Sequence, residues 1–230
     1  MKKKLILMGV AAALVTITLI GGSLAYFQAT GHQVQQQINT KTLEIQLSEA
    51  GQDGSGKEIY TELPNGTVFV DKIAPGSIIP KEVCVTNTKD TDLYVRLTIT
   101  KYWGKDSNSG NDADLKAFEK DMNKDAGKII LEPVNTAGTA GSGDWILQSE
   151  DKEQLVLYYT KPLAPGQNTS IFMDRIGISS DLKNEYADLG IALKMQADAV
   201  QTLKGQDAMM SEWGVLATID GAGNISSIEE

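Results

Sequence analysis

Alternation of hydrophobic and polar residues runs through most of the chain and predicts a β-sheet protein. It is clearest where Leu93, Val95, Leu97 and Ile99 occupy every second position, the period expected of a strand with one buried face. Turn-forming Gly, Pro and Asn residues separate the runs. The predicted fold is all-β, an antiparallel jelly roll or β-sandwich with short inserted helices. Strands are predicted at 43–48, 59–60, 67–72, 77–87, 93–104, 128–132, 145–148, 155–161, 169–179 and 191–201.

Three segments depart from the strand pattern. Leu115, Phe118 and Met122 recur at helical spacing ahead of Gly127, which predicts a short helix inserted between strands. Residues 206–213 predict a helical turn. The small and acidic residues 220–230 predict a disordered tail.

The tetrapeptide Ile73-Ala74-Pro75-Gly76 recurs in form as Leu163-Ala164-Pro165-Gly166, each time between two predicted strands. Proline followed by glycine suits the two central positions of a type II turn, because proline fixes φ and glycine accepts a positive φ. Two readings stay open at this point. The turns are unrelated, or they mark two repeated halves of one sheet structure.

The first 25 residues have the organisation of a secretory signal peptide. Lys2, Lys3 and Lys4 precede the apolar run 5–20, and Ser23-Leu24-Ala25 supplies small residues for cleavage between Ala25 and Tyr26. The alternative is a retained membrane anchor, for which the run is short and lacks a positive flank before Lys41. Either way the remainder lies outside the membrane. We expect a secreted protein of the extracellular matrix or cell surface, in contact with the membrane only before processing.

Residues 26–40 form an N-terminal arm that precedes the predicted β domain at 41–219. The arm begins with Tyr26 and Phe27 and shows a weak alternation at Val34, Gln36 and Ile38. Such an arm is either a flexible leader or a donor strand that pairs only with the open sheet edge of another chain.

Charge narrows the set of partners. The full chain has 21 Lys and Arg against 30 Asp and Glu, and the leader takes three lysines with it, so the mature chain has a net charge near −12. Nucleic acids and anionic lipids bind clustered basic residues. We therefore expect no nucleic-acid partner.

The sequence contains few of the side chains from which catalytic sites are usually built. His32 is the single histidine and lies in the arm, so no histidine-based metal motif or triad can be assembled. Cys84 is the single cysteine and cannot form an intrachain disulfide. We expect it to be a buried, inert residue rather than an intermolecular bridge or reactive thiol. The sequence predicts no enzyme activity, no catalytic or metal-binding residue and no cofactor.

Two further patterns have both a functional and a structural interpretation. Asp106, Asn108 and Asp112 imitate the spacing of a calcium loop, but Gly110 and Ala117 stand where ligands are needed, which favours a solvated loop. A set of aromatic residues either lines a carbohydrate-binding face or packs in the core, and strand aromatics more often pack. The set comprises Tyr94, Tyr102, Trp103 and Trp145.

Several stretches, taken in order, resemble the TasA and camelysin family of secreted proteins from Gram-positive bacteria. They are 21–27 (GGSLAYF), 39–45 (NTKTLEI), 73–76 with Lys81 and 83–87, Tyr94-Val95-Arg96, and 197–201 (ADAVQ).

The resemblance implies a jelly roll, cleavage by a signal peptidase of the SipW type, and a role as subunit of extracellular biofilm fibres. It further implies a head-to-tail homopolymer, in which the arm containing Tyr26, Phe27, Val34, Gln36 and Ile38 completes the sheet of the next subunit. Camelysins have been classed as peptidases, but this sequence lacks the histidines for such a site. A cell-surface metallopeptidase and a surface adhesin or glycan-binding module remain the alternatives.

Overall fold

Two antiparallel sheets pack face to face around one hydrophobic core. The computed structural model describes residues 45–63, 66–70, 73–106, 118–136 and 143–229. The strands are β1 (Ile45–Gln52), β2 (Glu58–Glu62), β3 (Thr67–Val70), β4 (Ile78–Asn87), β5 (Leu93–Asp106), β6 (Phe118–Lys120), β7 (Ile129–Pro133), β8 (Trp145–Glu150), β9 (Gln154–Tyr159), β10 (Met173–Ile178), β11 (Gly190–Gln201), β12 (Leu216–Ile219) and β13 (Ile225–Glu229). One α-helix, α1 (Gly205–Trp213), and 3₁₀ turns at Ala126–Lys128 and Asn184–Tyr186 complete the described elements.

The strand order explains how the chain closes on itself. The first sheet has the order β2-β1-β4-β10-β7, and the second has the order β3-β11-β5-β9-β8 with β6 paired to β5. The longest ladder joins β5 to β11 from Leu93 opposite Gln201 to Gly104 opposite Gly190. The predicted all-β antiparallel sandwich is confirmed.

The core lies between the inner faces of the two sheets. Val83, Val85 and Ile176 project from the first sheet, and Leu97 and Leu193 from the second, all fully buried. Burial of such side chains is the main term that stabilises a fold of this kind. The alternation in the sequence therefore marked the faces of the central strands correctly.

A second, smaller core lies on the outer face of the second sheet. The segment 205–229, which holds α1, β12 and β13, is called the cap here. Its Met209 and Ile225 pack against the outward-facing Tyr94, Tyr158 and Val200 of the sheet. The backbone N–H of Ile225 also donates to the carbonyl of Thr160 at 2.7 Å.

The prediction of a disordered tail at 220–230 is wrong for residues 220–229, because β13 forms a hairpin with β12. Asp220 closes the turn by accepting the N–H groups of Ala222 and Asn224, each at 2.8 Å. Ile225 and Ile228 are then both buried. Two apolar residues in a short acidic segment suffice here because the sheet already offers an apolar surface.

The predicted helix at 115–122 is wrong where the structure describes it. Residues Phe118–Lys120 form β6, which pairs with Gly104–Asp106 at the end of β5. Met122 is 76% exposed, so the apolar spacing has no core to cover. The long strand β5 instead offers free backbone groups that β6 satisfies. The predicted helical turn at 206–213 is confirmed as α1.

The two Ala-Pro-Gly segments form matching turns. The N–H of Ser77 donates to the carbonyl of Ala74, and that of Gln167 donates to the carbonyl of Ala164, both at 3.1 Å. Gly76 and Gly166 have φ values of 73° and 69°. The type II prediction is confirmed, and the turns lead to β4 and β10, which pair with each other.

Residues 43–230 form a single compact unit. The signal peptide at 1–25, the cleavage site at Ala25 and Tyr26, and the arm at 26–40 lie outside the described residues. No helix within the described ranges is long and apolar enough to span a bilayer.

Candidate functional site: the outer strands

The single cysteine is structural. Cys84 is completely buried and its Sγ lies 3.7 Å from the carbonyl oxygen of Ser48, to which it donates. Burial raises the pKa of the thiol to about 12, since a thiolate would lose its hydration there. Because the thiolate is the reactive form, the prediction of an inert cysteine is confirmed.

The aromatic residues are mainly core residues. Tyr94, Trp103 and Trp145 are each at most 2% exposed. The Trp145 ring lies 5.6 Å from that of Phe172 in an edge-to-face arrangement. These three side chains therefore offer no flat surface to a sugar, and the packing interpretation is confirmed for them.

The calcium-like loop is described only at its first residue. Asp106 ends β5, and positions 107–117 lie outside the described residues. The expectation of a solvated loop stays a prediction.

Lys101 occupies an inward position of β5 that the sequence analysis did not single out. It is 4% exposed, and its Nζ donates to the carbonyl of Ile129 in the opposite sheet at 2.7 Å. Burial lowers the pKa of this ammonium, while the carboxylates of Glu150 and Asp151 act in the opposite direction. The sequence could have shown this burial, because continuing the alternation of Leu97 and Ile99 by two residues places Lys101 on the inner face.

The first sheet ends in two outer strands of different character. All five residues of β2 are exposed, and Ile59 and Tyr60 are 42% and 43% exposed. The other outer strand, β7, buries Ile129 and Leu131 and exposes Ile130 to 41%. An outer strand presents unpaired N–H and C=O groups to which another chain can add. An exposed outer strand such as β2 can therefore bind an extended segment.

A family model described as camelysin metallo-endopeptidase matches residues 1–123. The chain belongs to the camelysin family. This confirms the resemblance to TasA and camelysin that the sequence carries. Camelysin-family proteins are associated with the cell surface. No curated protein and no solved structure matches the chain.

The metal that the family's description implies does not fit the side chains that the structure describes in this camelysin-family chain. Within the described ranges, no group of three or more His, Cys, Asp or Glu side chains converges as metal ligands would. The sequence supplies one histidine, His32, which lies outside those ranges. Catalytic zinc sites draw three protein ligands, commonly including two or three histidines.

Proposed function

We propose that this camelysin-family chain is a secreted structural subunit of extracellular biofilm-matrix fibres. Subunits assemble head to tail after the signal peptide is removed, and the arm of one subunit enters the sheet of the next. The observation that carries the proposal is an outer strand, β2, that is exposed along its whole length on an otherwise well-packed sandwich. Contacts of this head-to-tail kind grow into filaments when they do not close a ring.

Processing is the switch in this proposal. Before cleavage, by a signal peptidase of the SipW type, the start of the arm is held in the membrane by residues 1–25 and cannot reach a second subunit. Cleavage after Ala25 leaves Tyr26 as a free end. The partner is a second copy of the chain, and the excess of acidic residues argues against nucleic acid.

Deletion of residues 26–37 from the purified mature protein tests this function. We expect filaments from the intact mature chain and none from the truncated one, as seen by negative-stain electron microscopy. Unchanged filaments from the truncated protein would exclude strand donation. N-terminal sequencing of the protein secreted by its native host checks that the chain begins at Tyr26.

The second candidate is a cell-surface metallopeptidase, which the family's description favours. It predicts bound metal and proteolysis in protein purified without added metal. Metal analysis by mass spectrometry together with a casein assay decides it. Stoichiometric metal with activity that a chelator removes would support this candidate over a purely structural role.

A further inference from the structure

We propose that β2 is the edge that receives the arm, residues 26–40, of a second copy of the chain. This inference rests on the proposed function and specifies where the donated strand binds. It follows from a comparison of the backbone N–H and C=O groups that each outer strand can offer to an added strand.

The backbone of β2 presents a regular set of groups that pair with none of the residues that the structure describes. The N–H of Leu63 donates to the carbonyl of Leu47 at 2.9 Å, which continues the β1–β2 register by one residue. In an antiparallel ladder, alternate residues bond to the partner strand and the others point away from it. The N–H and C=O groups of Glu58, Tyr60 and Glu62 therefore point away from β1, along an edge that contains no proline and no bulge.

At the opposite edge of the same sheet, several outward-facing backbone groups of β7 are already bonded or are missing. In β7, the carbonyl of Ile129 accepts the Nζ of Lys101 at 2.7 Å, and its N–H bonds to the carbonyl of Ala126. Pro133 at the other end has no N–H. A carbonyl that already accepts a hydrogen bond is less available to an added strand, and a proline at a sheet edge has no N–H to offer one. Of the outward-facing residues in β7, this leaves Leu131, between Ile129 and Pro133, with both backbone groups able to pair with an added strand.

The outer strands of the second sheet provide a shorter or less regular edge for strand addition than β2 does. Strand β8 has a register shift between Leu147 and Ser149, and its Trp145 N–H already donates to the carbonyl of Asn135 at 3.0 Å. Strands β3 and β6 have four and three residues. In the cap, β13 has five residues like β2, but its ladder with β12 has a register shift between Thr218 and Ile219. Among the described outer strands, β2 thus offers the longest edge without a register shift.

The side chains of β2 also suit the arm. Ile59 and Tyr60 are half exposed and, as neighbours in a strand, face opposite sides of the sheet. Glu58 and Glu62 share the side of Tyr60, so an acidic partner would be repelled. The arm has no Asp, Glu, Lys or Arg from Tyr26 to Asn39 in a chain that is otherwise acidic. Its Val34 and Ile38 share one face of an extended strand and can cover one of the exposed apolar residues.

The length of the arm is sufficient. Nineteen residues, 26–44, precede the start of β1 at Ile45, and an extended chain spans about 3.3 Å per residue. Pairing along the five residues of β2 takes up about 17 Å of roughly 60 Å. The remainder can cross from one subunit to the next.

A matched pair of substitutions tests the choice of edge. Ile59→Lys places a charge on β2, and Ile130→Lys places the same charge on β7 at a residue of almost equal exposure, 42% against 41%. We expect Ile59→Lys to lower the yield of filaments at least tenfold and Ile130→Lys to leave it unchanged. Circular dichroism and thermal melting of both monomers check that each still folds.

Cross-linking identifies the contact directly. The double variant Gln36→Cys/Ile59→Cys, assembled and treated with a short bismaleimide, should give a ladder of covalent oligomers under denaturing conditions. Gln36→Cys/Ile130→Cys should not, and the unsubstituted chain, with only the buried Cys84, serves as the blank. A ladder from the β7 pair but not from the β2 pair would overturn the proposal. Covalent dimers from Ile59→Cys alone would also overturn it, because β2 would then pair with itself.

The failure of this inference can be told apart from failure of the proposed function. If deletion of the arm abolishes filaments while Ile59→Lys still forms them, donation stands and β2 is the wrong edge. If filaments persist without the arm, the proposed function itself fails and this inference fails with it.

Discussion

Two buried titratable side chains, Cys84 and Lys101, respond to burial in opposite directions. Burial raises the pKa of the thiol and lowers the pKa of the ammonium, because in both residues it disfavours the charged form. Lys101 offsets part of this cost by its hydrogen bond to Ile129 across the two sheets. Cys84 stays a neutral thiol that donates to the carbonyl of Ser48.

The buried thiol predicts a loss of stability at alkaline pH. The thiol of the unfolded chain ionises near pH 9, while that of the folded chain stays protonated up to about pH 12. Ionisation therefore favours the unfolded state as pH rises between these values. From pH 9 to 10, the wild-type chain should lose about 1 kcal/mol of unfolding free energy relative to Cys84→Ala.

Urea unfolding of both proteins at pH 8, 9 and 10, with reductant present, measures this difference. Lys101 and the tyrosines also titrate in this range, but they are common to both proteins and cancel in the comparison. Parallel pH profiles for wild type and Cys84→Ala would show that Cys84 is accessible to water in the folded protein.

At the scale of the elements, the sequence located most strands of the two large sheets and the helix α1, but it missed β6 and the hairpin of β12 and β13. The alternation of β5 and β11 was readable because each buries one face against the opposite sheet. The helix predicted from Leu115, Phe118 and Met122 was wrong because three apolar residues are too few to distinguish a helix from a short strand. The hairpin at 216–229 was missed because its stability depends on Tyr94 and Tyr158, which are distant in sequence. The position of β2 at the end of its sheet was also not predictable from the sequence, because it depends on how the described strands are ordered and not on the residues of β2.

The cap predicts a specific steric effect at Gly205. A Cβ at this first residue of α1 would overlap the ring of Tyr94, and that ring is held by the hydrogen bond from its hydroxyl to the carbonyl of Gly223 at 2.7 Å. Gly205→Ala should therefore cost about 1–3 kcal/mol of unfolding free energy, as overpacking does. Thermal melting followed by circular dichroism measures the loss.

Gly221→Ala is the matched control within the same cap. No atom lies within 4 Å of the Cβ that it would add, so we expect a change within about 0.5 kcal/mol. Equal losses from both substitutions would mean that the cap does not rest on Tyr94 as described.

At the scale of the whole molecule, the two Ala-Pro-Gly turns belong to two equivalent halves. The path β3-turn-β4-β5 is matched by β9-turn-β10-β11: β4 pairs with β10, β5 pairs with β11, β3 lies beside β11, and β9 lies beside β5. The strands β1 and β7 occupy corresponding places beside β4 and β10. The repeat interpretation, left open by the sequence, is the one that the topology supports.

Equivalence of the halves predicts equal costs at the two turns. Gly76→Ala and Gly166→Ala each force an alanine into a left-handed conformation, which costs about 1–2 kcal/mol. The added methyl meets no atom closer than 3.6 Å at either site, so the strain is confined to the backbone. Denaturant unfolding of both variants checks this, and a difference above about 1 kcal/mol would show that the turns are not equivalent.

The most general prediction concerns the β domain without its arm. Residues 43–230 form one compact unit, and the core residues of both sheets lie within it. A protein that begins at Leu43 should therefore fold as a monomer, with an unfolding free energy within about 1 kcal/mol of the monomeric mature chain. Urea unfolding at low protein concentration measures this, and Gly205→Ala shows that the assay detects a loss of the expected size. A truncated chain that is unfolded, or much less stable, would mean that the arm completes the sheet of its own subunit, and it would then be unavailable for donation to another.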